Sequence, residues 1–290
     1  MPFSTAKTIV GGTATCAESL RPKLALLYSA PIGLLGGLIG LGGAEFRLPV
    51  LAGPLGYSAR QAVPLNLAVT LVTILASLGS RGASLSFGSV DAYLHVILAL
   101  IFGSVMGAFL GSYLAGRLSE RQFERVILVL LLGLGGGLIL DSVVPHESSG
   151  TIFDAVTVQV GAGLLFGLAI GLVSSLLGVA GGELLIPTLV FVFGANIKTA
   201  GTASLLISVP MVVVGLLAHA RLGAFTDRRV WGDTIWPMSV GSLLGAVTGG
   251  LLVNSVPSAM LKAVLGGILI YSAVRVFLKG RSKKVVFEKE

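Results

Sequence analysis

Two ten-residue stretches carry most of the information about the fold of this chain: GLGGAEFRLP at residues 40–49 and GVAGGELLIP at residues 178–187. Each contains a run of small residues, then a glutamate, and then a proline. Such runs weaken a helix and free backbone N–H and C=O groups, which inside a membrane must line a cavity or be buried in protein. We interpret the stretches as paired helix breaks, and the apolar segments 46–57 and 184–195 as half-helices that follow them.

The composition of the whole chain indicates a polytopic helical membrane protein. Of 290 residues, 54% are hydrophobic and 11% are charged, and 41 are glycine; the mean hydropathy is +0.96. A soluble domain carries about 25% charged residues, whereas glycine is frequent in membrane helices because it allows close packing. Eight apolar segments are near the length of about 20 residues that crosses a lipid bilayer, at 24–43, 61–79, 92–116, 124–140, 156–180, 199–219, 231–253 and 260–278.

An internal repeat relates the two breaks. An offset of 138 residues places 40–49 on 178–187, and it also places the pattern Gly-Ser-x-x-Gly-Ala at 103–108 on the same pattern at 241–246. Self-similarity at a fixed offset predicts two homologous units. The predicted organisation is a cytoplasmic tail at 1–23, a first transmembrane repeat at 24–140, a linker at 141–155, a second repeat at 156–278 and a basic cytoplasmic tail at 279–290.

The positions of Lys and Arg favour opposite orientations for the two halves. If the short segments cross the membrane, each half has five spans and the second is inverted; if they do not, each has four and both face the same way. With five spans in each half, most Lys and Arg residues lie on one side of the membrane. The other side then has few basic residues besides Arg81, Lys198 and Lys262. Because cytoplasmic loops are enriched in Lys and Arg, we predict an all-α bundle of two inverted repeats with both termini cytoplasmic. Whether the short segments cross or re-enter stays open.

The same composition argues against several other functions. The net charge is +7, but the basic residues form no patch with interleaved aromatics, so nucleic acid is not an expected partner. Cys16 is the single cysteine and there are three histidines, so neither a disulfide framework nor a metal site is expected. No hydrolase or Walker pattern is present. We therefore expect no enzyme activity and no cofactor.

Glu45 and Glu183 occupy equivalent positions in the breaks. A carboxylate within a membrane costs about 3 kcal/mol and normally faces a polar cavity or a partner. The pair is a candidate for proton coupling; alternatively, each glutamate stabilises the N-terminus of its half-helix. Arg47, whose counterpart is Leu185, either pairs with Glu45 or attracts an anion.

Hydrogen-bond donors surround the predicted breaks. Freed N–H groups near a helix start suit an anion, and polar side chains one turn apart share a helix face. For a single hydroxyl, a bond to its own helix backbone is the alternative. The predicted substrate-binding residues are Gly43, Ala44, Asn66, Thr70, Gly181, Gly182, Thr202, Ser204 and Ser208.

Three basic residues and one histidine are candidates for attracting an anion: Arg47, Arg60, Lys198 and His219. Arg60 and Lys198 are equivalent by the repeat and stand just before helices, where side chains of this type also serve as membrane anchors. His219, at the end of its span, is a candidate for titration near neutral pH or a plain interfacial residue.

These motifs resemble the TauE/SafE sulfite exporter family. The resemblance rests on the glycine clusters before Pro49 and Pro187, on AGTASLL at 200–206, on His-x-x-x-Gly at 219–223, and on the repeated Gly-Ser-x-x-Gly-Ala pattern. It implies a bacterial inner-membrane secondary transporter for small sulfur-containing anions such as sulfite, thiosulfate or organosulfonates. The three consecutive glycines of the family are absent in both halves, which have GGA at 42–44 and AGG at 180–182. The first half has Pro64 and Asn66 where the second has Thr202 and Ser204, which indicates that the halves contribute unequally to a site.

The combined hypothesis is an anion carrier, an exporter by resemblance, that works by alternating access. Backbone N–H groups at the breaks and the polar side chains would hold the substrate, with Glu45 and Glu183 as a proton-linked pair. The alternative is a passive anion channel lined by the same donors. The substrate, the coupling ion and the oligomeric state are left open by the sequence.

Overall fold

The described part of the chain consists of helices joined by short turns, without strands. The computed structural model describes residues 13–84, 88–114, 136, 139–140, 155–177, 181–221, 225 and 228–271. Its main helices are α1 (Thr13–Leu35), α2 (Ala44–Ala52), α3 (Ala59–Ser84), α4 (Leu94–Leu114), α5 (Val156–Leu177), α6 (Gly182–Phe191), α7 (Ile197–Arg221), α8 (Trp236–Leu252) and α9 (Ser258–Tyr271). Short helical turns at Gly88–Asp91 and Arg228–Val230 precede α4 and α8.

Five segments of the described chain are long and apolar enough to cross a membrane: Arg21–Gly40, Gln61–Gly82, Val156–Ser175, Ile197–Arg221 and Trp231–Leu252. The predicted segment 92–116 corresponds to α4, whose apolar part is shorter. Large apolar side chains are exposed on these helices, including Phe102 and Leu165. An apolar outer surface of this extent suits a lipid environment.

Some predicted boundaries differ from the observed ones or cannot be compared with them. Helix α1 begins at Thr13, within the segment predicted as the N-terminal tail. The linker at 141–155 lies outside the described residues except for its last residue, and the tail at 279–290 lies wholly outside them. Most of the predicted span 124–140 also lies outside them.

The first predicted break is present between α1 and α2. Helix α1 ends in a π-helical turn at Gly36–Gly40, and Gly40, Gly42 and Gly43 have positive φ angles. Side chains with a Cβ rarely adopt this left-handed region, so glycine permits the chain to leave α1 and start α2 within a few residues. The second break has the same form where it is described: Gly181, with φ 72°, precedes α6.

The helices pack across the two halves. Helix α1 packs against α8, and α4 packs against α5. A Cβ on Gly33 would collide with the backbone of Ser242, and a Cβ on Gly171 would collide with the backbone of Ser104. The two contacts differ by 138 residues in both partners, which is the offset of the repeat. Equivalent glycines therefore bring equivalent helices into close contact, as small residues do in membrane bundles.

Candidate functional site

The two helix breaks meet at the centre of the described bundle. Ser204 of α7 donates a 2.6 Å hydrogen bond from Oγ to the carbonyl of Gly40. A Cβ on Gly182 would lie 3.0 Å from the carbonyl oxygen of Leu41. The backbone of one break thus lies directly against the backbone of the other, and helix α7 contacts both breaks.

Each half-helix begins at a left-handed glycine and carries an acid in its first turn. Gly43 (φ 74°, ψ 16°) precedes α2, and Gly181 (φ 72°, ψ 0°) precedes α6. Neither helix start has a side-chain cap, and the first N–H groups of a helix lack partners within it. Glu45 and Glu183 occupy the two first turns, within electrostatic range of each other.

Arg47 organises the polar groups around the first break. Its side chain is fully buried, and its guanidinium donates to Thr70 Oγ1 at 2.8 Å, to Thr73 Oγ1 at 3.0 Å, to Ser242 Oγ at 3.0 Å and, at 3.5 Å, to Asn66 Oδ1. The planar fork of arginine suits several acceptors at once. Arg47 therefore ties α2 to α3 and α8.

Of the two alternatives considered for Arg47, an ion pair with Glu45 is not present among the described residues. The guanidinium is directed to the hydroxyls of α3 and α8, and both carboxylate oxygens of Glu45 are buried without a hydrogen-bond partner. The reason is geometric: Arg47 and Glu45 are two residues apart on one short helix, and residues at that spacing do not face each other. Arg47 still lies within electrostatic range of Glu45.

The structure brings Asn66 and Thr70 together, but both already have partners in the protein. Thr70 accepts a bond from Arg47, and Asn66 donates from Nδ2 to the carbonyl of Ala44 at 3.1 Å. Asn66 thereby links α3 to the first residue of α2. To donate to a substrate, as predicted, Asn66 would have to break its bond to Ala44, and Thr70 would have to contact the substrate beside Arg47.

Arg81 forms a second buried cluster at the end of α1. Its side chain is fully buried, with Nε donating to Gly37 O at 2.8 Å, and Nη2 to Leu38 O at 2.8 Å. Its Nη1 donates to Thr202 Oγ1 at 2.9 Å and to Lys198 O at 3.2 Å. The carbonyls freed at the break thus accept hydrogen bonds from Arg81. These bonds link α3, which carries Arg81, to α1 and α7.

By sequence, Arg81 counts among the basic residues at one side of the membrane, whereas the structure buries its side chain inside the bundle. An arginine at the end of an apolar run resembles a membrane-surface residue in sequence, but here its guanidinium turns inward to satisfy carbonyls. A buried cation is tolerated when it is fully hydrogen-bonded.

The remaining predicted residues divide between the centre and the periphery. Ser208 is buried. The side chain of Lys198 donates from Nζ to the carbonyl of Asn254 at 3.2 Å, just after the end of α8. His219 Nδ1 lies 2.8 Å from the carbonyl of Gly215, one turn earlier on α7. The backbone of Arg60 belongs to α3, and its side chain lies outside the described residues.

Four buried side-chain atoms of the described chain have no hydrogen-bond partner: Glu45 Oε1, Glu45 Oε2, Arg47 Nε and Ser174 Oγ. Buried polar groups are normally hydrogen-bonded, so orphaned ones point to a ligand, a solvent molecule or a change of state. Glu45 and Arg47 belong to the first break, and a Cβ on Gly181 at the second break would collide with Ser174 Oγ. The orphaned atoms are therefore concentrated at the two breaks.

Sequence reasoning missed Thr73, Ser242 and the role of Arg81. Thr73 follows Thr70 by three residues and therefore shares its helix face, and Ser242 is the serine of the repeated Gly-Ser-x-x-Gly-Ala pattern. Both were recognisable as polar residues in apolar helices. Their common partner, Arg47, was not recognisable, because only the fold brings α2, α3 and α8 together.

Comparison with known proteins identifies the family of the chain. The profile described as Sulfite exporter TauE/SafE matches residues 5–138 and 163–289. A comparison with curated proteins gives no match. The two matched segments cover nearly the whole chain and include both helix breaks and both arginine clusters. The chain therefore belongs to the sulfite exporter TauE/SafE family of membrane transporters.

Proposed function

We propose that this protein carries small sulfur-containing anions, such as sulfite, thiosulfate or organosulfonates, across the bacterial inner membrane by alternating access, and that the anion binds where the two helix breaks meet. The main observation in support is that the carboxylate oxygens of Glu45 and Nε of Arg47, all at the first break, are buried without hydrogen-bond partners. A donor on a buried cation and an unpaired carboxylate form an incomplete site, which an anion and a proton would complete.

Charge balance links the proton to the anion. The centre contains the cations Arg47 and Arg81 and the acids Glu45 and Glu183. With both acids ionised, the four charges cancel. Protonation of one acid leaves an excess positive charge, which favours an anion in a low-dielectric site. By thermodynamic reciprocity, a bound anion then favours protonation. We infer that Glu45 and Glu183 couple proton binding to anion binding.

The packing of the helices supports alternating access between two halves, 24–140 and 156–278. The α1–α8 and α4–α5 interfaces use contacts that are related by the offset of the repeat, as a two-fold relation requires. With five segments in each half, that axis lies in the membrane plane and places both termini in the cytoplasm. Inverted repeats with broken helices at the midplane are typical of secondary transporters.

Transport by purified protein in proteoliposomes tests the proposal. We expect wild-type protein to take up radiolabelled thiosulfate or sulfite with saturation, and to accumulate it when a pH gradient is imposed. The double variant Glu45→Gln with Glu183→Gln should lose this accumulation and keep exchange of labelled for unlabelled anion at equal pH, because the amides cannot exchange protons. Asp91→Asn, at an exposed position of a short helical turn, is the matched control and should behave as wild type.

Each other outcome contradicts a defined part of the proposal. If the double variant accumulates anion as wild type does, the acids do not couple. If wild-type flux rises without saturation, the protein is a channel. If no sulfur-containing anion moves at all, the substrate class is wrong.

A further inference from the structure

An apolar groove lies between α3, α7 and α8 and is open to the outer surface of the described bundle. It has a volume of about 450 Å³, whereas a single water needs about 10–15 Å³. Its lining side chains are apolar or aromatic except for Ser239. Trp236 and Leu243, which line it, are exposed, so the groove faces the surroundings of the bundle.

The groove has the length of an acyl chain in one leaflet of a bilayer. Its lining residues extend from Trp231, in the π-helical turn Trp231–Ile235, to Leu243 of α8. At 1.5 Å per residue this part of the helix rises about 18 Å, and one leaflet is half of a hydrocarbon core about 30 Å thick. A chain of methylene groups suits such a groove, because it needs no hydrogen-bond donor.

Two tryptophans lie at one end of the groove. Trp231 is 46% exposed and Trp236 is 68% exposed. The ring of Trp231 also packs against that of Phe225, with 5.8 Å between the centroids. Tryptophan is enriched where a bilayer meets water, because its ring is apolar and its N–H is polar. We therefore expect this end of the groove at the level of the lipid headgroups.

The same end of the bundle has an excess of positive charge among the described side chains. Arg221 ends α7, Arg229 belongs to the short helical turn before the tryptophans, and both are exposed. Helix α1, which packs against the π-helical turn, adds Arg21 and Lys23. The described acid at this end is Asp233. Basic residues at a membrane surface attract anionic lipids, so a negative headgroup is favoured here.

The internal repeat explains why this space is present. At the offset of 138 residues, Ala68 and Ser239 of the groove correspond to Leu206 and Ile101. Leu206 and Ile101 are partly buried and pack against a hydrophobic cluster of the described chain. Ala68 and Ser239 have smaller side chains and leave open the volume that branched apolar groups take at the equivalent positions.

We propose that this groove binds one acyl chain of an anionic phospholipid, with the headgroup at Arg221 and Arg229. Burial of methylene groups against the apolar walls holds the chain, and the two guanidinium groups attract the phosphate. The bound chain lies against Ala68 and Val72 of α3. The inference goes beyond the proposed function, because it holds whichever anion the protein carries.

Native mass spectrometry of the purified full chain tests the headgroup part of this site. Delipidated protein in detergent is titrated with phosphatidylglycerol or with zwitterionic phosphatidylcholine of the same acyl chains. We expect wild type to prefer phosphatidylglycerol roughly tenfold or more, because each basic residue near an anionic headgroup strengthens binding about fivefold. Arg221→Gln with Arg229→Gln should lose most of this preference and bind phosphatidylcholine as wild type does.

A filled groove tests the position of the acyl chain. Ala68→Leu with Ser239→Ile introduces the residues of the equivalent positions and should weaken binding of phosphatidylglycerol roughly tenfold or more, the equivalent of about two methylene contacts. Thr248→Ile, at an exposed position of α8 outside the groove, is the matched control and should bind as wild type. Thermal unfolding in detergent establishes that each variant is folded.

The outcomes separate a specific site from a general lipid coat. Weaker binding in the filled variant but not in Thr248→Ile supports the groove, and unchanged binding in a folded filled variant overturns it. An equal loss in Thr248→Ile also overturns it, because lipid then covers the whole apolar surface alike. Equal affinity of wild type for the two lipids overturns the headgroup assignment and with it the proposal. If the filled variant does not fold, the arginine variant decides, and an unchanged preference for phosphatidylglycerol overturns the site. None of these results bears on anion transport, so the proposed function stands or falls separately.

Discussion

Arg47 and Leu185 occupy equivalent positions in the two halves, yet only Arg47 gathers polar groups from other helices. Its four hydrogen-bond acceptors come from α3 and α8, while Nε stays without a partner. Leu185 is fully buried among apolar side chains. The two equivalent positions therefore differ in chemistry, and the positive charge beside the first break has no counterpart at position 185.

At the residue scale, replacing Arg47 should lower the affinity for an anion and leave the protein able to fold. The hydroxyl of Thr73 keeps a 2.8 Å bond to the carbonyl of Val69 without the arginine, so Arg47→Leu should still fold. Loss of a charged donor should reduce thiosulfate affinity by tenfold or more, roughly. Arg47→Lys should recover only part of it, because an ammonium lacks the fork.

Calorimetric titration of detergent-solubilised protein measures these affinities. Leu185→Met, a volume-conserving change at the equivalent position, is the control and should bind as wild type. Unchanged affinity in Arg47→Leu would mean that the guanidinium serves the structure alone.

The sequence drew attention to these residues but did not predict which groups they bond to. Charged and amide side chains inside apolar segments are costly, so Glu45, Arg47 and Asn66 stood out in sequence. Which atom bonds to which depends on distances between helices that are far apart in the chain. That is why the sequence left the partner of Arg47 open and why the inward turn of Arg81 was missed.

The half-helices depend on glycines that no other residue replaces easily. Gly43 combines a left-handed conformation with close contacts: a Cβ would lie 2.7 Å from Ile32 Cγ2 and 3.0 Å from the carbonyl oxygen of Ile32. Gly56 has a similar φ of 71°, but nothing lies within 4 Å of the position of its Cβ. Substitutions at these two glycines therefore distinguish the cost of a left-handed backbone from the cost of a steric collision with the added Cβ.

At the element scale, Gly43→Ala should destabilise the protein more than Gly56→Ala. Both substitutions carry the strain of a left-handed residue, about 1–2 kcal/mol. Gly43→Ala adds the displacement of Ile32, about 1–3 kcal/mol for overpacking. Thermal unfolding in detergent, followed by circular dichroism, should give a lower midpoint for Gly43→Ala. Equal midpoints would show that Ile32 moves aside at no cost.

The elements themselves were largely predictable from sequence. Small-residue runs followed by proline predicted both breaks. Helices α2 and α6 begin at Ala44 and Gly182, two residues before the expected starts at 46 and 184. The π-helical turn at Gly36–Gly40 was not predicted. Its hydrogen bonds differ from those of an α-helix by one residue, and Arg81, which satisfies its freed carbonyls, is distant in sequence.

Two of the interfaces between described helices are related by the offset of the repeat. Gly33 of α1 meets Ser242 of α8, and Gly171 of α5 meets Ser104 of α4. Both contacts are between backbones, which cannot move aside as a side chain can. The repeat in the sequence predicted two equivalent units, but it did not predict that each would pack its helices against the other.

At the scale of the molecule, Gly33→Ala and Gly171→Ala should have similar effects. Each introduces a methyl group against a backbone, which costs about 1–3 kcal/mol. Gly161→Ala, on the same helix as Gly171 but with nothing within 4 Å, should stay within about 0.5 kcal/mol of wild type. Thermal unfolding measures all three; a loss confined to one of the two interface variants would contradict their equivalence.

The crossed pairing of α1 with α8 and of α4 with α5 also orders the assembly of the chain during synthesis. Helix α4 finds its partner in the next long helix described, whereas α1, the first helix that the structure describes, waits for α8, which ends only at Leu252. Until then Gly33 of α1 lacks the backbone of Ser242 that it contacts in the folded chain. A ribosome that stalls after the first half would therefore release a fragment with an unfilled interface, which two copies of that fragment could fill for each other.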